Sequence, residues 1–424
     1  MSGQASRGYA LYILVLLLAL LSLSYADRYL FSILIPSIKA EFGASDAVLG
    51  LIAGPGFIVS YILFTMPLAR LADLWSRRRV LALSAAVWSA ATAACGLALN
   101  IWQVAAARVI VGVGEAGAMP PAQSIVASLF SEKRRSSALG VLTAAPYIGT
   151  VAGLAGGGAL AAIVGWRDAF LWLALPGLPL ALLMLMTGPR RAASPSSAAS
   201  RPAPASSLEV LRRCWSIRSL RLLALGAGVY NVFGYAGATW LPSYFMRSHG
   251  MTLIEAGVWL GIGSAAGGIA GTVASGMLID RLRDRDLRWQ LWLPAVALLL
   301  SFPMTVAMLL VPGGAAWGGV PVVALLSVVT GFLAATWFGP SLAAVASLVA
   351  PGDRAQAGAV LVMVISVVGS LVGPVVAGFT SEWLTPRFGE EALRYGLFSL
   401  SLIIVAAAWL FWRAASFYRE DLAA

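Results

Sequence analysis

The chain has 424 residues, 60% of them hydrophobic and only 11% charged, where a soluble globular domain carries about 25% charged residues. This composition excludes a soluble fold and points to a polytopic membrane protein, whose spans are helices or a closed barrel because lipid offers the peptide group no hydrogen-bond partner. Two cysteines (Cys95, Cys214) and one histidine (His249) give neither a disulfide framework nor a metal cluster.

Twelve apolar runs follow in order: 9–37, 47–72, 80–99, 102–130, 136–163, 168–188, 218–246, 252–279, 288–311, 317–349, 355–380 and 392–416. They lack the period-two alternation of barrel strands and are long enough to cross a bilayer as helices. The first run, from Tyr9 to Pro36, is too long for a signal-peptide core and has no small-residue cleavage site after a short core, so it stays as a span. The connections "RLADLWSRRR", "SEKRRSS", the segment from Gly188 to Ile217, "DRLRDRDLR" and "PGDRAQ", with the two tails, hold most of the 29 Lys and Arg residues. The other side holds Lys39, Arg167, Arg247, Arg387 and Arg394. The positive-inside rule places both termini in the cytoplasm and accounts for the net charge of +11 without a nucleic-acid partner.

Between the sixth and seventh runs, "GPRRAASPSSAASRPAPASS" is too rich in Ser, Pro and Ala to bury a core and reads as a flexible linker. The following "LEVLRRCWSIRSLRLL" mixes basic and apolar residues at helical spacing, as a helix lying in the interface does. The expected organisation is an N-terminal six-helix bundle (1–188), a cytoplasmic linker with an interfacial helix (189–217) and a C-terminal six-helix bundle (218–424). An internal repeat supports it. "VASLFSEKRRSSALGV" after the fourth run and "VASLVAPGDRAQAGAV" after the tenth share V-A-S-L, an aligned arginine (Arg135, Arg354) and an aligned alanine (Ala138, Ala357). "LARLADLWSRRRVL" and "ASGMLIDRLRDRDL" likewise end the second and eighth runs, with Leu71 and Asp73 answering Leu278 and Asp280.

These loop motifs, with "RVIVGVGEAGAMPPAQS" in the fourth run, resemble the major facilitator superfamily across nearly the whole chain. The first loop departs from the family pattern at Ala69, Leu74 and Ser76, which puts the strength of a cytoplasmic latch in question. Within the superfamily, "YADRYLFSILIPSIKAEFG", "GWRDAF" and "WLPSYFMRSHGM" are most similar to the bacterial Spinster-like branch; the organic-anion symporters share a D-R pair in the first helix. The resemblance implies an all-α membrane protein with twelve transmembrane helices in two six-helix pseudo-symmetric halves, in the bacterial inner membrane, acting as a monomer.

Four charged residues lie well inside the runs: Asp27 and Arg28 in the first, Arg108 and Glu115 in the fourth. Each costs about 2.5–3.5 kcal/mol at a span centre, so such residues are functional candidates by default. Two acids and two bases can form a neutral pairwise network. An acid that trades its arginine for a proton couples proton flow to transport, which nominates Asp27 and Glu115. Arg28 and Arg108 are the candidates to grip a phosphate or carboxylate headgroup. The opposing wall, placed by the resemblance on the seventh and tenth helices, is uncharged: Tyr230, Asn231, Tyr235 and Trp240, then Trp337, Phe338 and Ser341. A charged wall facing an aromatic one suits an amphipathic anion of the lysophospholipid or sphingolipid kind; a proton-coupled symporter of small organic anions is the alternative.

Asp73 and Asp280 sit at helix C-termini, where the dipole disfavours an acid unless an arginine approaches; with Arg77 and Arg78 they are read as a cytoplasmic latch. Pro146 and Gly149 in the fifth helix, and Gly373 and Pro374 in the eleventh, mark closely packed, bendable helices; by the resemblance these two face each other and slide. No Walker motif points to ATP, no cofactor is implied, and no nucleophile–base set points to an enzyme.

Overall fold

The computed structural model describes residues 6–187, 207–350 and 353–423; the greater part of the predicted linker lies outside them. The described residues are helical almost throughout. The first span is one helix, Arg7–Phe42, about 54 Å long at 1.5 Å per residue, well over the roughly 30 Å hydrocarbon thickness. The second runs Asp46–Leu74, interrupted at Gly54, and the third is Arg77–Gly96.

The fourth span is broken into Ile101–Ala116 and Met119–Leu129. The break falls where Pro120 and Pro121 open a new helix and cannot donate to the preceding turn. Gly117 is needed there, because a Cβ on it would lie 2.1 Å from Ser84 Oγ. The consequence is that Glu115 sits in the last turn of the first piece. The fifth span contains Ala145–Val151, a wider i→i+5 turn over Ala152–Gly156, and Gly157–Val164. The sixth comprises Trp166–Ala174 and Gly177–Met186.

The remaining spans are Arg218–His249, Leu253–Leu282, Trp289–Leu310, Val322–Ala335 with Phe338–Leu348, Arg354–Phe388, and Ala392–Ser401 with Ile403–Ala423. The tenth is thus broken as the fourth is. Within the predicted linker a helix forms at Ser207–Ser216 and packs on the seventh and eleventh spans, with Cys214 buried and Arg213 3.8 Å from Asp353.

The chain divides into two compact units. Unit 1 is Met1–Ala44, Leu51–Pro202 and Leu253–Gly261; unit 2 is Ser45–Gly50, Ala203–Thr252 and Ile262–Ala424. The starts of the second and eighth helices are therefore grouped apart from the rest of their own spans. Within each unit the packing scheme is the same. In unit 1 the first span packs on the fifth and sixth, and the third on the fourth and sixth; in unit 2 the seventh packs on the eleventh and twelfth, and the ninth on the tenth and twelfth. Unit 2 is centred on a core of Leu223, Ala227, Tyr230, Leu298, Trp337, Ile404 and Phe411.

Candidate functional site

The first helix is set against the fifth by two glycines. A Cβ on Gly149 would come 2.4 Å from Tyr25 Cβ and 2.7 Å from Ser22 O, and one on Gly153 would come 2.4 Å from Ala26 O. This near-contact of backbones turns Ala26 toward the fifth helix and leaves its neighbours, about 100° on per residue, to face the other members of the bundle. Gly112 brings the fourth helix equally close to the second, with a Cβ there 2.4 Å from Phe57 O.

Asp27 and Arg28 diverge accordingly. Asp27 forms an ion pair with Arg108 and accepts a 2.6 Å hydrogen bond from Thr92 Oγ1; Asp27 and Arg108 are each only 2% exposed. Arg28 turns to Glu115, its Nε donating to Oε2 at 2.7 Å and Nη2 lying 2.6 Å from the same oxygen. The Glu115 side chain is 0% exposed while that of Arg28 is 27% exposed, and Glu115 Oε1 has no hydrogen-bond partner among the described residues. The four charges thus form two pairs, one sealed and one open on its cationic side.

Aromatic rings complete the setting. The Arg28 guanidinium carbon lies 4.6 Å from the Phe57 ring centroid, 5.0 Å from Tyr25 and 5.2 Å from Tyr61. Arg108 lies 4.9 Å from Phe31 and 5.4 Å from Phe57, so the Phe57 ring serves both cations. Sequence reasoning missed Thr92 and these rings. The readable signal was spacing: Phe57 and Tyr61 are i,i+4 on one helix face, and Tyr25 is i,i+3 from Arg28.

In unit 2 the predicted wall separates into two sets. Tyr230 and Trp337 are buried in the core, ring centroids 5.7 Å apart, with Trp337 also 6.3 Å from Phe411. Trp240 is fully buried, its Nε1 donating to Pro374 O at 3.0 Å, and Ser341 is fully buried, its hydroxyl donating to Trp337 O at 2.7 Å. In this structure the polar atoms or ring faces of these four are engaged inside the bundle. Asn231 and Tyr235 are half-buried beside Gly369, Asn231 Nδ2 donating to Ala227 O, and Phe338 is exposed.

The predicted gating residues are also redistributed. Asp73 takes its arginine from its own connection: Arg77 Nη2 lies 3.1 Å away across the turn between the second and third helices, both side chains exposed. Arg78 instead donates to Thr187 O at 2.9 Å. Asp280 is exposed; the ion cluster of that connection forms at Asp286, which Arg288 and Arg419 each approach to 2.8 Å. Hydrogen bonds from Arg288 hold the Asp286 carboxyl down to about 2.

The fifth helix, with Pro146 and Gly149, packs on the first, and its Gly158 meets Leu253 O. Gly373 packs on Val232 O of the seventh helix, and Pro374 O lies 2.4 Å from where a Gly50 Cβ would stand. Carbonyl-to-glycine approach sets each of these pairings.

A further buried pair escaped the sequence because Asp46 and Arg247 each lie at a run boundary. Asp46, 1% exposed, accepts from Arg247 Nη1 and Nη2 at 2.6 and 2.8 Å and from Ser381 Oγ at 2.7 Å, while its backbone N–H donates to Glu382.

Comparison with known proteins places this arrangement. The profile of the Major Facilitator Superfamily matches residues 17–324. An "MFS-type efflux pump" of Mycolicibacterium smegmatis is 34% identical over 409 residues, covering 95% of this chain and 91% of the relative. A Bacillus subtilis protein named "Probable galactarate/D-glucarate transporter GudP" is 26% identical, covering 70% of each chain. Among solved structures, a bacterial homolog to the human lysosomal transporter Spinster, in an inward-facing and unoccupied conformation, superposes with a TM-score of 0.86 at 25% identity, covering 98% of this chain and 99% of that one. The resemblance read from the motifs is borne out, and this chain, a transporter and not an enzyme, belongs to the Major Facilitator Superfamily.

Proposed function

We propose that this membrane transporter moves an amphipathic anion of the lysophospholipid or sphingolipid kind, coupled to protons through Glu115, in the bacterial inner membrane with both termini cytoplasmic. The single observation that carries the reading is the asymmetry of the Arg28–Glu115 pair: a cation that solvent and solute can reach, on an acid that they cannot. A headgroup phosphate or carboxylate offers Arg28 a bidentate partner in exchange for Glu115. A carboxylate left without its guanidinium in so buried a place holds a proton instead. Release of the anion returns Arg28 and expels the proton. Asp27, sealed on Arg108 and Thr92, then serves as the fixed partner that keeps the fourth helix in register, and Asn231, Tyr235 and Phe338 are the proposed contacts for the apolar body in unit 2.

The acid-sugar relative favours the second reading, small organic anions, through the same exchange. Both readings meet one experiment: uptake of labelled lysophospholipids and of hexarates into proteoliposomes under an imposed pH gradient, wild type beside Glu115→Gln and Asp27→Asn. Gradient-driven lipid flux that Glu115→Gln abolishes, with binding retained, sustains the proposal. Hexarate flux without lipid flux replaces the substrate class. Flux that survives in Glu115→Gln sinks the coupling scheme.

A further inference from the structure

The surroundings of Arg28 form a receptor for a cation, occupied by the chain's own side chain. Three ring faces, Tyr25, Phe57 and Tyr61, stand 4.6 to 5.2 Å from the guanidinium carbon. At the closed end is a fully buried carboxylate, Glu115, with one oxygen on Arg28 and the other without a hydrogen-bond partner among the described residues. A ring of aromatic faces backed by an acid is the chemistry that binds quaternary and delocalised organic cations. Arg108 offers the contrast: it too lies over two rings beside an acid, yet it and Asp27 are both sealed, so nothing from outside can take its place.

We propose that the Tyr25–Phe57–Tyr61–Glu115 cage is a binding site for lipophilic organic cations, with Arg28 as a tethered competitor that such a cation displaces. This goes beyond anion transport and does not depend on it. The same carboxylate is offered either to Arg28, to a proton or to an organic cation, so the cage widens the solutes the protein accepts to a second charge class. The 27% exposure of Arg28 leaves the way in, and the side chain, once displaced, has that exposed side to turn to.

The proposal inverts the usual effect of deleting an arginine. Equilibrium binding of tetraphenylphosphonium to the full chain in nanodiscs, without any pH gradient, is the measurement. Arg28→Met, which keeps the apolar stem but removes the competing charge, is expected to bind the probe about tenfold tighter than wild type, the scale of one well-desolvated cation–aromatic contact. Adding Glu115→Gln is expected to return the affinity to the wild-type level or below. Tyr61→Leu, which leaves the ion pair in place, is expected to weaken wild-type binding several-fold, and it keeps the test decisive should Arg28→Met fail to fold. Triphenylphosphine oxide, neutral and of similar shape, is expected to gain nothing from Arg28→Met. Unchanged or weaker tetraphenylphosphonium binding in Arg28→Met, an equal gain for the neutral analogue, or wild-type affinity in Tyr61→Leu overturns the proposal. Anion uptake is read separately in proteoliposomes, so the cation site and the anion reading fail independently.

Discussion

Two ion pairs start from adjacent residues of one helix and share a phenylalanine ring, yet they differ in access. Asp27–Arg108 is closed on both sides, with Thr92 donating to the second carboxylate oxygen. Arg28–Glu115 is closed only on the acid side. Burial of both partners makes separation expensive, since each charge would be left alone in a medium that solvates it poorly. Exposure of one partner lets that charge find water or a solute while the other is neutralised by a proton. The chemistry of the two pairs is alike and access is what separates them; in the proposed scheme the sealed pair is the brace and the open pair the exchanger.

The sharpest way to break the comparison is to remove the cation from each buried pair in turn. Arg108→Met strands Asp27 and is expected to cost about 3–5 kcal/mol, read as a large fall in thermal midpoint and in folded yield from detergent. Arg247→Met strands Asp46, whose cation is 16% exposed, and should cost less; Arg28→Met should cost least of the three. If Arg108→Met and Arg28→Met lower the midpoint equally, solvent access does not distinguish the pairs.

A smaller effect sharpens the same point. Thr92→Val removes one hydrogen bond to Asp27 and is expected to lower stability by about 1–2 kcal/mol while leaving the ratio of proton-driven to passive uptake unchanged. A changed ratio would mean that the sealed pair takes part in coupling. The smallest effect belongs to Asp73→Asn: its pair with Arg77 is exposed on both sides, 66% and 41%, and such pairs contribute about 0–1 kcal/mol. A midpoint shift as large as that of Thr92→Val would show that Asp73 is engaged beyond Arg77.

Much of this was legible in the chain. The spans, the repeat and the four charges all came from local sums: apolar run length, matching short motifs, and the cost of a charge in lipid. The burial of part of the aromatic wall was not legible for the same reason. Trp240 and Tyr230 have the same local signature whether they face a solute or a core, and only the carbonyl of Pro374 and the ring of Trp337 beside them decide it. Asp46 went unnoticed because a run boundary looks like a water-facing end until Arg247 and Ser381 are seen closing over it.

By itself, then, the sequence determined that this is a twelve-span transporter of repeated halves with two acids and two bases held in the first, because hydropathy and charge cost are properties of short stretches. Only the tertiary structure decided that Asp27 goes to Arg108 and Arg28 to Glu115, that one pair is sealed and the other open, and that three aromatic rings surround the open one. Those outcomes depend on distances between helices up to about a hundred residues apart. Gly149, Gly153 and Gly112 set them, by letting backbones approach to where any side chain would have kept them apart.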